Sequence, residues 1–255
     1  MAVAQNGAQH TDTDAFRGAR FIDADLNGVT FRSCDLRGMK IVDSWLMNVS
    51  VSGEVKNFLV EGIDIAPLVQ AELDRQFPER ALVRSMETAD DYRAAWTTVE
   101  QRWAETVERA GKLADTAAYE RVDDEWSLVE TLRHLVFATD AWVGSTIVDD
   151  LAPYHRLGLT HTSYPREAAL ALGIDLDADP TFDEVLAVRA DRQALVRGIV
   201  DALTDDDLAR VSDRPPAPGY EKQPRKVGRC LRVVMNEECE HRRYAVRDLA
   251  VLEAR

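Results

Sequence analysis

AFRGARFIDADLNGVTFRSCDLRGMKIVDSWLMNVSVS (15–52) places a bulky apolar residue at every fifth position: Phe16, Phe21, Leu26, Phe31, Leu36, Ile41, Leu46 and Val51. Two positions before each of the last seven stands a small or medium side chain, namely Ala19, Ala24, Val29, Cys34, Met39, Ser44 and Val49. A five-residue period fits neither the 3.6 of an α-helix nor the 2 of a strand. Repeats at a fixed spacing announce a stacked architecture, one unit laid against the next. After Val51 the phase slips. VKNFLVEGIDI (55–65) predicts one or two strands closing the stack, and PLVQAELDRQFPERA (67–81) predicts a short helix leading out.

From about Ser85 the pattern changes to helical spacing. In TADDYRAAWTTVEQRWAETVERAGKLA (88–114), Tyr92, Trp96, Val99, Trp103 and Val107 recur three or four residues apart, behind Thr88 and Asp91 as cap and first-turn acid. Ser127 and Glu130 form a capping box for a second helix carrying Leu128, Leu132, Leu135 and Val136 towards Val143. A long loop over 150–180 holds PYHRLGLTHTSYP (153–165). Thr181 and Glu184 open a third helix that runs to about Leu203. A polar, proline-rich link (204–226) leads to a last helix near 226–253. Four long helices in this span predict a four-helix bundle.

The organisation expected is α+β: a tail at 1–14, a repeat segment at 15–65, a connecting helix or linker at 66–84 and a bundle at 85–255. With 45 acidic and 31 basic side chains the 255-residue chain carries a net charge of −14. That balance disfavours a nucleic-acid footprint or adhesion to anionic membranes. No apolar run is long enough to span a bilayer, and MAVAQNGAQHTDTDAF lacks the basic-then-apolar pattern of a signal peptide. Cys34, Cys230 and Cys239 make no even framework and no CxxC pair, which points to a reducing cytoplasm.

The chain has five histidines: His10, His134, His155, His161 and His241. Glu237 and His241 lie four apart on the last helix and so project from one face. If His134, mid-helix in TLRHLVFATDAW, faces them, two imidazoles and a carboxylate converge. Three ligands with an open position are the arrangement of a catalytic zinc site, and the set suits other first-row divalent ions. Cys239 falls about 200° round the helix from this face and should point away.

The repeat resembles the pentapeptide repeat family, whose consensus is A(D/N)Lxx. The resemblance covers 15–52 and implies a short right-handed β-helix of about two coils with both apolar positions inward, Cys34 among them; Val29, Met39 and Val49 depart from the small inward residue. Residues 85–255, through WSLVETLRHL (126–135) and NEECEHRRYAVRDL (236–249), resemble the DinB-like superfamily, in particular members related to mycothiol-dependent maleylpyruvate isomerase. That likeness implies an up-down-down-up four-helix bundle with a crossover at 150–180 and a divalent metal, zinc above all, on His134, Glu237 and His241. Relatives often have CLHV where this chain reads Cys230-Leu231-Arg232-Val233. The superfamily's ion often holds a low-molecular-weight thiol such as mycothiol, which implies a thiol transferase or isomerase in which a metal-bound water or thiolate attacks a small anionic electrophile.

Residues 225–255 carry a net charge of +3. Arg232, Arg243 and Arg247 are therefore candidates to hold an anionic thiol or substrate, and His155 and His161, with Tyr154 and Tyr164, to line the mouth. The alternative for each arginine is pairing with acidic neighbouring helices, and for the two histidines an exposed loop position. Trp96, Trp103, Trp126 and Trp142 are expected in the bundle core. Two other functions fit the sequence: a metal-dependent hydrolase, and a non-catalytic regulatory protein with the repeat as interaction module. A homodimer is expected on general grounds.

Overall fold

A computed structural model describes residues 8–114 and 116–255; residues 1–7 of the expected tail lie outside the described residues. The chain divides into two compact units, Met1–Gly53 and Glu54–Arg255.

In the first unit the five-residue period of the sequence is a backbone period. Gly18, Asp23, Gly28, Ser33, Gly38, Asp43, Asn48 and Gly53 all have positive φ. Glycine takes this conformation without strain, and Asp, Asn and Ser tolerate it through local hydrogen bonds. The carboxylates of Asp25 and Asp35 accept from the backbone N–H groups of Asn27 and Arg37, two residues on. A corner thus stands at every fifth residue. The β-helix expected here is not seen: among residues 8–53 no strand forms. The backbone hydrogen bonds between described residues of this stretch, such as Val29 N–H to Leu26 C=O and Met39 N–H to Leu36 C=O, close four-residue β-turns. Corners are local, whereas a ladder needs a coil on each side, and eight pentapeptides supply few such neighbours. The eight repeating apolar residues stay 41–59% exposed, and Cys34, expected inward, is exposed as well.

The second unit opens with an antiparallel hairpin, β1 (Leu59–Val60) and β2 (Ile63–Asp64), turned by Glu61 and Gly62 at positive φ. The single short helix expected next is two, α1 (Ala66–Gln76) and α2 (Pro78–Ser85). Pro78 disfavours a helical Phe77 and cannot donate to a continuing helix. The four long helices are α3 (Ala89–Ala110), α4 (Leu128–Thr139), α6 (Phe182–Ala202) and α8 (Val227–Glu253). Reciprocal capping boxes start three of them, at Thr88 with Asp91, Ser127 with Glu130 and Thr181 with Glu184. They pack in a ring, α3 on α8, α8 on α4, α4 on α6 and α6 on α3. Trp96, Trp103, Leu132, Leu135, Val196, Leu231 and Met235 fill the middle.

The long loop after α4 contains α5 (Arg166–Ala171), and the polar link contains α7 (Asp205–Ala209), started by a fourth box at Thr204 with Asp207. A two-stranded antiparallel pair, β3 (Val211–Ser212) and β4 (Arg225–Lys226), precedes α8. Among the described residues no helix is long and apolar enough to cross a membrane.

Candidate metal centre

His134 sits in the middle of α4, 6% exposed, and its Nδ1–H donates to the carbonyl of Leu159 at 2.9 Å. A carbonyl only accepts, so the proton is on Nδ1 and the Nε2 lone pair is free to bind. Glu237 and His241 project together from α8, as the four-residue spacing requires. Glu237 Oε2 lies 3.6 Å from His134 Nε2 and 3.2 Å from His241 Nε2. One ligand atom from each of the three lies within 4.8 Å of the others. Ligands at the usual zinc bond lengths stand about 3.3 Å apart at the corners of a tetrahedron. The donor set therefore fits a divalent cation without rearrangement of the helices. Burial alone would raise the Glu237 carboxyl, but the two imidazoles beside it, His134 and His241, outweigh that and hold it well below the usual carboxylate range.

Behind this face, Glu238 is fully buried and accepts two hydrogen bonds of 2.8 Å from Arg189 on α6. The pair fixes how α8 is rotated, and hence where Glu237 points. Burial pushes the Glu238 carboxyl up despite the arginine. Cys239 is buried away from the three ligands, with its thiol pushed up by burial and by the charges of Glu79 and Glu238.

The long loop after α4 reaches this face through its backbone. Arg133, buried beside His134, donates to the carbonyls of Leu157, Ala178 and Asp175 at 3.0, 2.9 and 2.7 Å. Asp140, 2% exposed, accepts from the N–H of His155 and from Arg192 Nε at 2.8 and 2.6 Å. Burial raises its carboxyl to about 6 against the pull of Arg192. After Thr139 the α4 backbone widens into a π-turn, Asp140–Ser145, which swings Trp142 towards the ligands. Gly144 in this turn lets the long loop approach, because a Cβ there would stand 2.7 Å from the side chain of Pro153. Ser145, Tyr154 and Tyr164 donate to the carbonyls of Pro215, Pro216 and Pro218 and pin the loop that carries Tyr220.

A cavity of about 370 Å³ results, lined by the three candidate ligands with Trp126, Phe137, Trp142, His161, Thr162 and Tyr220. Trp126 lies 4.8 Å from the His134 ring and stacks at 6.0 Å on that of His241. His161 turns its ring edge to Tyr164 and Tyr220 and shares a hydrogen bond between Nδ1 and the Ser163 hydroxyl. Burial and the nearby His134 lower its pKa from the ordinary value.

The other candidates go elsewhere. Arg232 donates to the carbonyls of Val83, Arg84 and Met86 at the end of α2. Arg243 binds Glu240, Arg247 binds Asp248, and both guanidinium groups lie over the Tyr244 ring. His155 accepts from the N–H of Leu157 and stays outside the cavity, as do Tyr154 and Tyr164. Trp96 and Trp103 are in the core as expected, whereas Trp126 and Trp142 are half-buried cavity walls. Sequence reasoning missed Tyr220, Thr162 and Arg133. Arg133 carried a signal, since an arginine inside an apolar helical run must find buried acceptors.

Pentapeptide repeats match residues 15–52 in eight copies, and the DinB superfamily matches residues 98–245. No curated protein and no solved structure matches the chain. Since that second match spans more than half its length and both helices that carry the three candidate ligands, the chain belongs to the DinB superfamily.

Proposed function

We propose that His134, Glu237 and His241 hold a divalent cation, zinc by preference of the donor set, and that the protein is a metal-dependent enzyme. In this reading it uses a mycothiol-like low-molecular-weight thiol for transfer or isomerisation on a small electrophile. The observation that carries it is the meeting of three ligand atoms within 4.8 Å on the wall of a cavity. When bound, such an ion supplies Lewis acidity that lowers the pKa of a thiol or water to near neutrality. The chain supplies the rest. Leu159 fixes the His134 tautomer, Arg189 sets the rotation of α8, and Trp126 screens the imidazoles from water. The bundle is read as up-down-down-up with 150–180 as its crossover, and the three free cysteines suit a reducing compartment.

Metal analysis of protein prepared without a histidine tag tests the site. One equivalent is expected, falling below a tenth in the double variant His134→Ala, His241→Ala. Absence of metal from the unmodified protein overturns the reading. Thermal-shift assays with mycothiol, bacillithiol and glutathione then test the thiol. Stabilisation by none of them favours hydrolysis, which the same three ligands support. The exposed apolar row of the repeat favours one further role, the repeat unit as an interaction module.

A further inference from the structure

We propose that the cavity beside the three ligands takes an uncharged, flat, unsaturated group and rejects one bearing a carboxylate; this rests on the metal reading above. Four of its walls are aromatic: Trp126, Phe137, Trp142 and Tyr220. Flat unsaturated groups stack on such faces and edges, and the space is at the small end of the ~300–1,000 Å³ usual for small-molecule sites.

Charge decides the rest. No lysine or arginine lines the cavity among the described residues, and its one carboxylate is Glu237. A divalent cation on the ligands leaves one positive charge after Glu237 is counted, which a single thiolate cancels. A further carboxylate on the same ligand would then meet no cation, only aromatic rings and the neutral hydroxyls of Thr162 and Tyr220. The arginines that sequence reasoning offered for it are held by backbone carbonyls, Glu240 and Asp248. Arg225 lies 5.8 Å from the Trp142 ring centre, but its donors bind the carbonyls of Gln223 and Glu221. Burial and His134 both disfavour the charged form of His161.

The test uses the full chain loaded with Co(II) and a matched pair of thiols, benzyl mercaptan and 4-(mercaptomethyl)benzoate, titrated by the sulfur-to-cobalt charge-transfer absorption. The carboxylate is expected to weaken binding at least tenfold. A Thr162→Arg variant, placing a cation at the mouth, should narrow or reverse that ratio. Equal or tighter binding of the carboxylate by the unmodified protein overturns the proposal and leaves the metal site standing. Failure of Co(II) itself to bind overturns the metal reading, and this proposal with it.

Discussion

In the repeat unit the recurring apolar side chains are 41–59% exposed, whereas on α3 the recurring Trp96 and Trp103 are 0% and 2% exposed. Both stretches have strict periodicity. The difference lies in how many neighbours each has. One face of α3 meets both α6 and α8, so its stripe is covered from two sides. Eight pentapeptides turn a corner at every fifth residue without the layers that would cover their apolar row. A period in sequence therefore dictates backbone conformation first, and burial only where enough elements stack.

The largest test of that contrast is truncation at matched aromatic positions. Trp96→Ala should cost about 3–5 kcal/mol, because a fully buried ring leaves a cavity between packed helices. Phe31→Ala, at a 55% exposed position, should cost less than about 1 kcal/mol. Urea unfolding followed by circular dichroism measures both. Similar costs would break the comparison and show that the repeat has a core of its own.

A second test concerns polar burial in the bundle. The Asp140 carboxyl titrates near 6 instead of 3.8, chiefly through burial. Between these values the folded state binds more protons than the unfolded, so stability falls as pH rises across the window. A rise of that size corresponds to about 3 kcal/mol. The contribution is fully present below pH 4 and lost above pH 6. Asp140→Asn should therefore flatten that part of the stability profile, read as the difference between the two proteins at each pH. An unchanged slope would mean that Asp140 is open to water, and that its hold on His155 and Arg192 is weak.

Much of the bundle was legible because its signals are local. Three capping boxes mark helix starts, and stripes on α3 and α4 mark the covered face. The pairing of Glu237 with His241 follows from helical spacing, and its meeting with His134 from the family likeness. What surrounds that meeting was not legible. Arg232, Arg243 and Arg247 are near His241 in sequence, but a helix of 27 residues points them at α2, Glu240 and Asp248. Tyr220 and Thr162 reach the cavity because buried groups of α4 and of the turn after it, Arg133 and Asp140 above all, and loop tyrosines tie distant backbone in place. The extra residue in the Asp140–Ser145 turn leaves no trace in a hydrophobic period, yet it moves Trp142 from core to wall. In the repeat the five-residue period was legible and the missing ladder was not, because ladder bonds depend on the number of coils.

The smallest test separates backbone from burial in both units with one substitution. Gly28 has a φ of 77° and nothing within 4 Å of where a Cβ would stand, so alanine there meets only the left-handed penalty, about 1 kcal/mol. Gly198, inside α6, is equally unencumbered but helical, so alanine should stabilise it by up to about 1 kcal/mol through propensity. Local amide exchange reads each effect. Gly28→Ala should speed exchange of the Val29 N–H, bonded to Leu26, by roughly fivefold, and Gly198→Ala should slow α6 amides by a similar factor. Opposite signs from the same added methyl, each set in open space, would show that the repeat's corners are held by backbone conformation and not by packing. A neutral Gly28→Ala would mean instead that the corner is not held, and that the five-residue period needs a covering partner before it sets the backbone.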